Sequence, residues 1–127
     1  MIILLFLLPL LSYGIFNLDL PPLLDEKCSF SRKDAYSCFK TYVDADKSNS
    51  IDKDELNAAL KKYIPSKTIT WALSYGIDWI FDDCDYNGDG ILSPRDYKMS
   101  EKTCMTKQNH LCTIKWFCDK AREHKKE

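Results

Sequence analysis

Two histidines, His110 and His124, are all that the chain contains, and no two of its cysteines form a Cys-x-x-Cys pair. Tetrahedral zinc sites are built from such donors at short spacing, so the composition argues against zinc. Glycine and proline are scarce, four and five among 127 residues, which excludes a low-complexity or collagen-like chain. Neither sign of charge dominates: 18 lysines and arginines face 19 acids, for a net charge of −1. That balance gives no reason to expect nucleic acid as a partner. Neither histidine stands in a carboxylate–nucleophile constellation, so the sequence predicts no catalytic residue and no enzyme.

What is present begins with a leader. Residues 1–14, "MIILLFLLPLLSYG", carry no charged side chain, and the apolar run Ile2–Leu11 is interrupted only by Pro9. Ten apolar residues make a helix of about 15 Å, roughly half of a bilayer core. Ser12 and Gly14 are small residues two apart, the pattern that a signal peptidase prefers. The stretch reads as a signal peptide cleaved after Gly14, with secretion as the destination, the lumen of the secretory pathway as the alternative, and no stable membrane insertion after cleavage. All six cysteines (Cys28, Cys38, Cys84, Cys104, Cys112 and Cys118) follow it. An even count in a short exported chain predicts three disulfides. Cys112 and Cys118 point apart on one helix, so the expected bridges tie that helix back to Cys28 and Cys38, with the pairing open.

Residues 15–30 hold the Pro21-Pro22 step and no helical or strand period, predicting an extended arm. Helical spacing begins at Ser31, with Ala35, Cys38, Phe39, Tyr42 and Val43, and Ser31 and Asp34 form a capping pair. Leu56, Ala59, Leu60 and Tyr63 make a second stripe that ends before Pro65. Ser66 or Thr68 opens a third helix carrying Trp71, Ile77, Ile80 and Phe81. Ser93-Pro94-Arg95-Asp96 starts a fourth, and a fifth begins near Asn109 and carries Leu111, Ile114, Trp116, Phe117 and Ala121. Trp71, Trp79 and Trp116 are expected as core or groove lining. The fold class is all-α, in the order helix, acidic loop, helix, repeated, plus a terminal helix over 104–127.

The acidic loops carry the chemistry. "DADKSNSIDKDE", residues 44–55, holds five acids in twelve residues. Carboxylates at alternate positions of a tight turn converge on one centre, and each close pair then repels by about 1–4 kcal/mol unless a cation intervenes. Calcium accepts six to eight oxygens of mixed type. In a twelve-residue ligand pattern Asp44, Asp46 and Ser48 fall at positions 1, 3 and 5, the Ser50 carbonyl at 7, Asp52 at 9 and Glu55 at 12. Position 6 demands a left-handed backbone, and Asn49 is the non-glycine residue that best tolerates it. The second loop, "DYNGDGILSPRD", fits the same pattern from Asp85: Asn87 and Asp89 at 3 and 5, Gly90 at 6, the Ile91 carbonyl at 7, Ser93 at 9 and Asp96 at 12. Asp at position 12 is one methylene shorter than Glu, which makes two-oxygen binding harder and shifts preference toward magnesium.

Both segments with their flanking helices resemble EF-hands, over residues 31–103. The resemblance implies a disulfide-stabilised pair of helix–loop–helix units whose loops bind calcium ions together through a contact of Ile51 with Leu92. A weaker resemblance, to the disulfide-braced pair of osteonectin-type matrix proteins, implies a bridge between Cys84 and Cys104. On these grounds the expected function is a secreted calcium-binding protein, acting as a structural or binding module or as a sensor for an extracellular protein or peptide. The alternatives are a calcium buffer and, remotely, a small calcium-dependent enzyme.

Overall fold

The computed structural model describes residues 21–22 and 26–126. The expected leader lies outside the described residues, and so does most of the arm, whose described positions carry no helix or strand. Five helices and one short ladder form the described fold.

Helix α1, Arg32–Tyr42, starts where the sequence places it. The Ser31 hydroxyl accepts from the Asp34 amide at 3.1 Å, and the Asp34 carboxylate accepts from the Ser31 amide at 3.0 Å. Two of the helix's orphan donors are thereby satisfied. Helix α2, Lys53–Tyr63, is capped in the same way by Asp52 and Glu55 and buries Leu56, Ala59, Leu60 and Tyr63. Helix α3, Lys67–Cys84, is opened by Ser66. Helix α4, Pro94–Met99, begins with proline at its first turn behind a Ser93–Asp96 capping box, where the missing N–H costs nothing. Helix α5 spans Gln108–Lys126.

Helix α2 packs against α3, while α5 lies across α1 and α2. Between them sits one core containing Phe39, Leu56, Ile77, Phe81, Ile114 and Phe117. Two-residue strands β1 (Ile51–Asp52) and β2 (Ile91–Leu92) pair antiparallel, with Ile51 opposite Leu92. This ladder sets the two acidic loops side by side.

Cys28 is bridged to Cys112, Cys38 to Cys118 and Cys84 to Cys104. The first two anchor α5 to the arm and to α1. The third closes because α4 stops at Met99 and the chain then turns, the Cys104 amide donating to the Ser100 carbonyl at 2.8 Å; its Cα atoms lie 4.5 Å apart. Three such bridges point to an oxidising, extracellular or secretory environment. No helix among the described residues is long and apolar enough to cross a membrane.

Arg32 ties the molecule together across the loop pair. Its Nε donates to the Cys104 carbonyl and its Nη2 to the Tyr97 carbonyl, both at 2.7 Å. The guanidinium also lies 4.3 Å from the Tyr97 ring centroid, and Tyr97 stacks on Tyr36. Gln108 performs a related task for the arm, donating to the Cys28 and Phe30 carbonyls at 2.8 and 3.2 Å.

One expectation about aromatics fails. Trp79 lines a groove and Trp116 is half-buried against the core, but Trp71 is 63% exposed and is neither core nor groove lining. Helix α3 carries its apolar residues on two faces, and Ile77, Phe81 and Cys84 fill the inner one, leaving Trp71 outside.

Candidate metal centre

The first loop runs from the end of α1 into the N-terminus of α2. Asp44 is 4% exposed. Its Oδ2 accepts from the Asn49 amide at 2.8 Å, and its Oδ1 accepts from the Ser48 amide and hydroxyl at 3.1 and 3.4 Å. Asp46 accepts from the same Ser48 amide at 3.1 Å. Hydrogen bonds from the Ser48 hydroxyl and amide hold the Asp46 carboxyl below its ordinary value. Ser48 Oγ also donates to the Ser50 carbonyl at 3.0 Å, so the oxygens expected at positions 1, 3, 5 and 7 form one connected cluster. At the far end, Glu55 accepts from the Ala45 amide at 2.9 Å and from the Asp52 amide at 3.3 Å.

The second loop, between α3 and α4, repeats the contacts of positions 1 and 12 with the backbone. Asp85 Oδ2 accepts from the Gly90 amide at 2.7 Å, as Asp44 does from Asn49. Asp96, 3% exposed, accepts from the Tyr86 amide at 3.1 Å and the Ser93 amide at 2.9 Å, as Glu55 does from Ala45 and Asp52. Asp89 accepts from the Ile91 amide at 3.1 Å, and Asn87 from the Asp89 amide at 3.3 Å.

The backbone repeats as well. Positive φ occurs at Lys47 (58°) and Asn49 (64°) in one loop, and at Gly88 (69°) and Gly90 (79°) in the other. The left-handed turn at Asn49 was expected. That at Lys47 was not, although Gly88 at the matching place in the second loop is the signal that could have revealed it. Left-handed geometry disfavours a residue with a Cβ by about 1–2 kcal/mol.

These turns gather the carboxylates of Asp44, Asp46 and Glu55 so that their ligand atoms lie within 4.8 Å of one another, and those of Asp85, Asp89 and Asp96 likewise. Among the described residues, the lysine and arginine ion pairs use Asp78, Asp119 and Glu123, none of which belongs to either cluster. The other predicted ligands divide by what they already do. Ser48 and Ser50 stand within the first cluster. Asp52 spends one oxygen on the Glu55 amide at 2.8 Å, leaving the other for a further partner. The Ser93 hydroxyl is engaged with Asp96, accepting from its amide at 3.2 Å and donating to its carboxylate at 3.0 Å. Ile91 stands in the ladder opposite Asp52.

One atom tests whether these groups suit a cation. Asp85 Oδ1 is buried and has no hydrogen-bond partner. A buried carboxylate oxygen without a donor is costly, and a hard divalent ion held with Asp89 and Asp96 is the partner that its chemistry fits. The donor set is oxygen throughout, without nitrogen or sulfur, which suits calcium or magnesium rather than a softer metal.

The chain matches no known protein family, no curated protein and no solved structure.

Proposed function

We propose that the two loops are a pair of EF-hands and that the protein is a secreted or luminal calcium-binding module whose fold is stabilised by the ions it holds. The reading rests above all on the duplicated geometry. Position 1 accepts from the position-6 amide, position 12 accepts from the amides of positions 2 and 9, and positions 4 and 6 are left-handed in both loops. Such agreement between two loops of different sequence points to one ligand requirement imposed twice.

In the first loop Asp44, Asp46, Ser48, Asp52 and Glu55 would hold the ion, with the Ser50 carbonyl. In the second, Asp85, Asn87, Asp89 and Asp96 would do so, with the Ile91 carbonyl and Ser93. The cation supplies the positive charge that lets converging carboxylates stay ionised at close range. The protein's own part is to aim those oxygens and to hold position 12 by backbone N–H groups at both ends of each loop. Glu55 reaches with the longer arm. Asp96 already accepts three hydrogen bonds, which favours the first loop for calcium and leaves the second more receptive to magnesium.

A structural or binding role is favoured over a sensor. Opening the helices around a bound ion is how a sensor signals, and here Cys38–Cys118 and Cys84–Cys104 tie α1 to α5 and the end of α3 to the turn after α4. The same rigidity suits a buffer, which would hold calcium without a protein or peptide partner. Calorimetric titration of the oxidised protein with calcium and magnesium tests the proposal. Two calcium ions should bind, the first loop's more tightly, and absence of binding at millimolar calcium would overturn it.

A further inference from the structure

Helix α3 carries a row of five exposed residues at four-residue spacing: Lys67, Trp71, Tyr75, Trp79 and Asp83. Trp71, Tyr75 and Trp79 are 63, 57 and 58% exposed, far more than their size and apolarity favour on an unpartnered surface. Residues four apart on a helix lie on one inclined ridge. The ridge is therefore a cation, three aromatic rings and an anion in succession.

This order is its own complement when reversed. Two copies of α3 crossing antiparallel about Tyr75 would set Lys67 of each beside Asp83 of the other, and Trp71 of each beside Trp79 of the other. A two-fold interface requires that kind of self-complementarity. We infer that this ridge is the contact through which two copies of the chain form a homodimer.

The area is of the right order too: the exposed parts of the three rings would contribute roughly 400 Å² per copy, about half of a specific interface. The flanking Lys67, Ala72, Asp82 and Asp83 are exposed as well and extend it.

Sedimentation equilibrium of the oxidised full chain tests the inference. The apparent mass should rise toward twice the monomer's as concentration reaches the order of 100 µM. Lys67→Glu and Asp83→Lys should each weaken self-association about tenfold, because each places like charges at both ends of the ridge. Mixed in equal amounts they should dimerise again, since both end pairs are then opposite in charge. A wild-type chain that stays monomeric throughout, or charge variants that mixing does not restore, would overturn the inference.

Discussion

Glu55 and Asp96 occupy equivalent places at the exits of the two loops, and each receives backbone N–H groups from both ends of its own loop. They differ by one methylene and by the Ser93 hydroxyl, which adds a third donor to Asp96. Glu55→Gln should therefore lower calcium affinity about 10–100-fold at its loop, and Asp96→Asn by less, as read by calorimetry. Lys47 offers a gain instead. Its left-handed backbone stands where the second loop has Gly88, and Lys47→Gly should stabilise the fold by about 0.5–1 kcal/mol in urea unfolding. That is the strain relieved less the added freedom of the unfolded chain. At this scale the convergence of Asp44, Asp46 and Glu55, and of Asp85, Asp89 and Asp96, was legible from spacing alone, because alternate acids in a short turn point to one centre. The position-4 turn was not, since lysine carries no sign of left-handed geometry. Arg32 escaped notice for a different reason: an arginine in a helix's first turn has no local pattern that reveals carbonyl partners 65 and 72 positions away.

Among the elements, α1 shows most clearly how caps set geometry and energy together. Two hydrogen bonds from Ser31 hold the Asp34 carboxyl below its ordinary value. A carboxyl lowered by folding contributes stability above its unfolded value, near pH 4, and loses it as pH falls through the lower folded value. Asp34→Asn should consequently lose stability less steeply than the wild type on acidification below about pH 4, measured by thermal melting across pH. Removing the clamp at the other side of the same turn, by Arg32→Met, should cost about 2–3 kcal/mol in denaturant unfolding, since two carbonyls lose a charged donor. The helices themselves were legible: Ser31, Ser66 and Ser93 each cap the helix expected of them. Helix α3 was misjudged on Trp71, because periodicity marks apolar faces without saying which of two is turned inward.

At the scale of the whole molecule, the disulfides and, on the proposed calcium reading, the ions held by the loops reinforce one arrangement. If each loop binds at about 10⁻⁴ M, millimolar calcium adds about 1.4 kcal/mol per loop. Excess EDTA should then lower the melting temperature by about 5–10 °C, and an unchanged melting curve would count against the calcium reading. Reducing the bridges should act separately and more strongly, because Cys28–Cys112 and Cys38–Cys118 close loops of 84 and 80 residues; on chain-entropy grounds the first to form is worth about 4–5 kcal/mol and the second, closing a much shorter ring, about 3 kcal/mol. Those two bridges also dictate an order of events during synthesis. Cys28 and Cys38 emerge first and must wait for partners that come 84 and 80 residues later, while each lies only ten positions from the other in the sequence. A premature bridge between them is the first available error during synthesis, and in the full chain Cys112 and Cys118, six positions apart, offer a shorter ring still, so oxidative refolding should be slow without an isomerase and should accumulate such short rings before the native pairs.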